Sequence, residues 1–268
     1  MRGLGIAGSG RAARPFLSRL QSAGIVAAGF GLPAPGTATR ERPADDREGF
    51  ARGLTTLILV PADIAEAEAL LFEAQDFARN APSLRTIVIA ATLSPRYVRA
   101  LRGRIPAGIA LIDAPFSGTM RAAEEGRLSF FLGGSKEEIA GLAPVFGQLG
   151  RKMIRMGGFG TAMAAKVMND FLAASSTAMT RIALDWAEAQ GIEDAQLLDM
   201  TDGLFAGLAR PGYDMVDYGA GGHVSDECIA TLMKEVEAAL DTALAGAHLT
   251  PPRALEDVFR SMKTRPLH

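Results

Sequence analysis

The sequence predicts an α/β domain built on a mostly parallel sheet, followed by an all-α domain joined to it by one long helix. Three observations carry this expectation. Short apolar runs alternate with helical patterns through the first half of the chain, which is the mark of crossover units in a parallel sheet. From residue 161 to residue 190 there is no proline or glycine, and Ala, Met and Leu are dense. Beyond that run, helical patterns follow one another and the strand pattern does not return.

Taken in order, strands are expected at 4–7, 25–30, 56–60, 85–90, 109–113, 129–133 and 152–156. Each is a short apolar run, as strands buried on both faces require. Helices are expected between several of them, at 12–23, 63–79, 95–103 and 136–149. The stretch 31–49 is rich in proline, glycine and charge and reads as a surface loop. Gly157-Gly158-Phe159-Gly160 ends the alternation. The glycine-free run after it makes a helix of roughly 45 Å at 1.5 Å per residue. Further helices are expected at 193–206, 225–246 and 252–263, punctuated by Pro211-Gly212 and the glycines at 219–222. The domains therefore divide as 1–156 and 157–268.

Composition narrows the function classes. Of the 268 residues, 48% are hydrophobic, enough for one large core or two ordinary ones. A net charge of −2 gives no electrostatic case for nucleic acid or an anionic membrane surface as partner. The single cysteine, Cys228, excludes an internal disulfide framework and suits a reducing cytoplasm. His223, His248 and His268 lack ligand spacing, so no metal site is expected. The opening apolar run is too short for a signal peptide. The longest nearly uncharged stretch, 157–180, carries Lys166, Asn169 and Asp170 near its middle, which a bilayer would penalise. A cytoplasmic protein without a membrane span is expected.

Gly8-Ser9-Gly10-Arg11-Ala12-Ala13 leaves the first strand and opens the first helix. Gly8 permits the tight turn, Gly10 lets a pyrophosphate approach the backbone, and Ala13 lets the helix pack on the strand. The helix N-terminus then offers N–H groups and a positive dipole end to phosphates. Such a turn suits a dinucleotide; a plain strand-to-helix connection is the alternative. No acidic residue stands near Gly31, where an adenosine ribose is usually gripped. Arg40 and Arg42 lie downstream, where solvation or a 2′-phosphate accounts for them, so NADP is favoured narrowly over NAD. Val60-Pro61 and Thr92 end later strands, at the edge where parallel sheets bind ligands.

Farther along, Asp113-Ala114-Pro115-Phe116-Ser117-Gly118-Thr119 leaves another strand. The Ser117 and Thr119 hydroxyls and the open Gly118 backbone suit a small polar substrate. Lys166 and Asp170 are the only charged side chains from 157 to 179. An ammonium on so apolar a helix is costly unless paired or used. Helix geometry puts Asn169 and Asp170 at i+3 and i+4, on the face of Lys166; a solvated ion-pair stripe is the alternative. Lys234-Glu235 lies among Leu232, Met233 and Val236 on a further helix, and taken alone is an ordinary charged pair.

These pieces, in this order, resemble the β-hydroxyacid dehydrogenase family, which includes 3-hydroxyisobutyrate dehydrogenases and tartronate semialdehyde reductases and shares its NAD-binding superfamily with 6-phosphogluconate dehydrogenase. The motifs are Gly8-Ser9-Gly10 with Pro15, Val60-Pro61, Thr92-Leu93-Ser94-Pro95, Asp113 through Gly118, the glycines from Gly157 leading to Lys166 and Asn169, and Lys234-Glu235. The resemblance implies a Rossmann-type domain followed by a helical, dimer-forming domain, hence a homodimer or higher homo-oligomer. It implies NADP or NAD held by Gly8, Ser9, Gly10, Arg11, Ala12, Val60, Pro61 and Thr92, with Lys234 near both nicotinamide and substrate. Lys166 is implied as general acid/base, with Ser117, Gly118, Thr119 and Asn169, and Asp170 beside them, at a small hydroxy acid or its aldehyde. A lysine can move that proton at neutral pH when burial and a neighbouring cation favour its neutral form.

Four departures stand out. Thr119 replaces a glycine, Ala91 a serine and Asp170 an asparagine, and the segment between Gly31 and Thr56 is short. Asp170 suits a cationic imine better than a carboxylate, which keeps an imine reductase in view. The shortened segment keeps a non-catalytic dinucleotide sensor in view. Retention of Lys166, Asn169 and Lys234 together favours the dehydrogenase.

Overall fold

A computed structural model describes residues 3–32 and 47–197 of the chain. Arg40, Arg42, Lys234 and nearly all of the helices expected beyond 193 lie outside the described residues, although 194–197 are helical. The chain divides into two compact units, residues 1–167 and 168–268.

The first unit opens with β1 (Leu4–Ala7), α1 (Ala13–Ser22), β2 (Ala27–Phe30), α2 (Arg47–Arg52) and β3 (Thr56–Leu59). It continues through α3 (Ile64–Leu71), α4 (Phe77–Asn80), β4 (Thr86–Ile89), α5 (Pro95–Arg104) and β5 (Ala110–Asp113). Next come β6 (Phe116–Ser117), α6 (Met120–Glu125), β7 (Leu128–Gly133), α7 (Lys136–Gly141), α8 (Ala143–Leu149) and β8 (Gly150–Gly157). The long helix α9 (Thr161–Ala189) follows and runs on beyond the first unit.

The eight strands form one sheet in the order β2-β1-β3-β4-β5-β7-β6, with β8 paired to β7. β1 to β5 are mutually parallel, whereas β7 is antiparallel to β5 and to β6. Residues alternate between two cores, as the period of two demands. Ile58, Val88 and Ile112 face one of them, together with Phe16, Phe130 and Phe146. Leu57, Leu59, Ile87, Ile89 and Leu111 face the other, which also takes Phe77 and Met163. Both faces are apolar because helices cover both, which is why the strands read as unbroken apolar runs.

Residues 136–149 divide into α7 and α8 at Leu142 instead of forming one helix, and three further regions depart from expectation. Residues 63–79 form two helices: α3 stops at Leu71, and the chain turns at Asp76 (φ 48°) to start α4. That turn delivers Phe77 to a cluster with Phe30 and Phe50, its ring centroids 5.2 and 5.3 Å away. α2 forms in and just beyond the presumed loop because Ala51 is buried and Phe50 packs on the same core. The β6–α6 pair follows Pro115, where a Thr119 cap starts the short helix. Among the described residues, no helix is long and apolar enough to cross a membrane.

Candidate active site

Strand order reverses at β1, since the chain goes first to β2 on one side and then to β3 on the other. Open parallel sheets bind ligands outside the carboxyl ends of their strands at such a point. The Gly8 turn stands there. Gly8 has φ 121° and donates its N–H to the Phe30 carbonyl at 3.1 Å. Gly10 donates to the Val60 carbonyl at 2.8 Å. A Cβ on Gly8 would run into the Val60 carbonyl, and one on Gly10 would lie 2.6 Å from it. These glycines therefore let the turn lie flat against Val60-Pro61. Ala13 is fully buried at the start of α1, the small residue that close packing of helix on strand needs.

α1 has no side-chain cap. Its N-terminal N–H groups and positive dipole end suit an anion, with Arg11 exposed beside them. This donor set fits the pyrophosphate of a dinucleotide. Ser9 is engaged differently from expectation. Its N–H and its hydroxyl donate to the two oxygens of Glu66, both at 2.9 Å, and Ala62 N–H donates to the same carboxylate at 2.7 Å. Glu66 thus clamps the glycine turn to the turn after β3, and the Ser9 N–H is not left for a phosphate. Sequence reading missed Glu66, because a glutamate in the first turn of a helix looks like an ordinary dipole partner.

Val60 and Pro61 are buried at the end of β3, and Thr92 is half-buried after β4. Beyond β5, Ser117 is half-buried in β6, while Gly118 (φ 140°) and Thr119 are exposed. Thr119 Oγ1 accepts the Ala122 N–H at 3.2 Å, so this threonine caps α6. Its side chain has a structural task where a glycine would have none.

α9 begins after Gly160, a residue with no side chain to cap it. The cap comes from another strand. Asp113, fully buried at the end of β5, accepts the Gly160 N–H on Oδ1 at 2.7 Å and the Met163 N–H on Oδ2 at 2.6 Å. Burial pushes the Asp113 carboxyl above the usual carboxylate range, and the backbone N–H groups aimed at it oppose that shift. Met163 Sδ also accepts the Leu93 N–H at 3.3 Å, next to Thr92. Lys166 follows one turn later with 6% of its surface exposed. Asn169 is half-buried and Asp170 is buried at 5%. The expectation that Lys166 sits on a desolvated face matches that burial, and the solvated-stripe alternative does not. Among the described residues no group of His, Cys, Asp or Glu is arranged to hold a metal ion.

Residues 4–158 match the family model of the NAD binding domain of 6-phosphogluconate dehydrogenase. The mitochondrial 3-hydroxyisobutyrate dehydrogenase of Bos taurus is 30% identical over 165 residues, covering 60% of this chain and 48% of that protein. The matched part spans about half the length of this curated relative. By structure, the fold is similar to Mycobacterium tuberculosis 3-hydroxyisobutyrate dehydrogenase solved with L-serine. The TM-score is 0.75 at 20% identity, over 98% of this chain and 94% of that one. It is also similar to an imine reductase variant from Myxococcus stipitatus solved with NAD+. There the TM-score is 0.66 at 16% identity, over 98% of this chain and 94% of that one.

Proposed function

The chain belongs to the family of the NAD-binding domain of 6-phosphogluconate dehydrogenase, and from that premise we propose that it is an NAD(P)-dependent oxidoreductase of the β-hydroxyacid type. Its reaction interconverts a small 3-hydroxy acid and the corresponding aldehyde, with Lys166 as general acid/base. The observation that carries this reading is the buried amine of Lys166, one turn into a helix whose start is tied to the carboxyl ends of β4 and β5.

The bound nicotinamide would supply the hydride chemistry, leaving the protein to supply position and a proton relay. The Arg11 and Ala12 N–H groups would hold the pyrophosphate at the start of α1; Gly8 and Gly10, whose N–H groups bond Phe30 and Val60, would leave their bare backbone open to its approach, with Val60, Pro61 and Thr92 beside the rest of the cofactor. The absence of an acidic side chain at Gly31 supports NADP over NAD. Ser117, Gly118 and Thr119 would hold the substrate, and the family resemblance adds Asn169 and Lys234. Oxidation requires the hydroxyl proton to leave, and Lys166 Nζ takes it; in reduction the same group returns it. Its partner is a small molecule, and a homodimer is the assembly the resemblance supports.

A second reading rests on Asp170. Its burial, four residues after Lys166, suits a cationic imine substrate, and the imine reductase likeness supports keeping it. A panel of 3-hydroxy acids, their semialdehydes and cyclic imines, followed by nicotinamide absorbance with NADH and NADPH, separates the readings. Turnover of a hydroxy acid or semialdehyde is expected. Turnover of imines alone would move the assignment to the second reading. Cofactor binding without turnover of any compound would make the protein a sensor.

A further inference from the structure

We propose that Asp113 is a positioning residue for Lys166, setting the turn of α9 from which the amine projects. This rests on the reading of Lys166 as the proton-transfer group, and adds to it a residue that touches neither substrate nor cofactor. A helix with a Ser, Thr, Asp or Asn at its N-cap satisfies its own N3 N–H. α9 has Gly160 there and cannot. Asp113 takes over both ends of that arrangement from β5, accepting the N–H of Gly160 and the N–H of Met163, the N3 residue.

The same strand leads within four residues to Ser117, so one carboxylate joins the exit toward the substrate turn to the helix bearing the amine. Met163 is the joint. Its N–H is held by Asp113 and its sulfur by the Leu93 N–H beside Thr92. Lys166 is three residues on, about 4.5 Å along the axis and on nearly the same face. Gly133, paired to Asp113 across β5 and β7, keeps the space open: a Cβ there would collide with Asp113 Oδ1. A buried carboxylate is expensive, and a water-exposed N-cap would have served stability alone. Its worth lies in fixing α9 at a single rotation and height.

The test compares Asp113→Asn, Asp113→Ala and Gly133→Ala with the natural chain by two readouts. The first, which needs no turnover, is acylation of Lys166 by a water-soluble reagent, mapped by mass spectrometry with exposed Lys136 and Lys152 as internal standards. Asp113→Ala should raise Lys166 labelling about fivefold or more relative to the standards, as a loosened helix start opens locally. The second readout is steady-state kinetics. A displaced catalytic group costs kcat steeply, so kcat should fall about thirtyfold in Asp113→Ala while the KM for cofactor stays within about twofold. Asp113→Asn keeps one acceptor and should fall between.

If Asp113→Ala does not fold, Asp113→Asn and Gly133→Ala decide. Natural Lys166 labelling and kcat in the folded variants overturn the proposal. So does a kcat loss that only follows the folded fraction. Failure of the underlying reading looks different: Lys166→Ala would then turn over normally while the Asp113 variants still changed Lys166 labelling.

Discussion

The most exacting position in the turn after β1 is Gly8. With φ 121° and the Val60 carbonyl in the path of any Cβ, it tolerates no side chain. Gly8→Ala combines backbone strain with a forced shift of the β3 exit, and should cost about 2–3 kcal/mol. A urea midpoint lowered accordingly, with weaker cofactor binding, is the expected outcome; an unchanged midpoint would mean the turn is slack. At this scale the sequence was readable wherever a residue type has few uses. Gly8 as the tight turn and Ala13 as the packing residue were readable from their place between the first strand and the first helix, and the structure agrees on both. Lys166 stood out as one of only two charges on an apolar stretch, and its burial agrees. Glu66 and Asp113 were illegible as a clamp and a cap, because their partners lie 57 and 47 to 50 residues away in sequence. Thr119 was expected to offer its hydroxyl to a substrate; in the structure that hydroxyl accepts the Ala122 N–H as a helix cap.

Among the elements, α3 and α5 are stapled at the surface. Arg104 donates to both oxygens of Glu68, at 2.6 and 2.7 Å, and its guanidinium lies 3.9 Å over the Phe72 ring. With Arg104 43% exposed, the assembly is worth about 1 kcal/mol. The Arg104 hydrogen bonds hold the Glu68 carboxyl below its ordinary value. A depressed carboxylate stabilises the fold above the unfolded value, and that contribution is lost as pH falls through the folded value. Arg104→Ala should therefore lower Tm at neutral pH, and the gap should narrow once the pH drops below the ordinary range of glutamate. A gap independent of pH would assign the effect to the Phe72 contact alone. Elements with strong periodicity were legible nearly to their ends: β1 and α9 match within a residue. The breaks were not, since the turn at Asp76 is driven by the meeting of Phe77 with Phe30 and Phe50, a contact between elements far apart in sequence.

For the whole molecule, alternation of strand and helix foretold a mostly parallel sheet, but not the antiparallel return through β7. β6 is only two residues long and carries no pattern. The consequence for function is that the turns after β1, β3, β4 and β5 all leave at carboxyl ends, where a dinucleotide and its substrate would be gathered. Hydrogen bonds from the last two of these fix the start of α9. The proposed chemistry requires that Lys166 move the proton while the sheet holds the cofactor. The most direct measurement is single-turnover hydride transfer by Lys166→Ala, preloaded with the cofactor and the best substrate of the panel. Cofactor affinity within about twofold of the natural chain is expected, with a hydride step at least about a hundredfold slower. A hydride step as fast as that of the natural chain would contradict that chemistry.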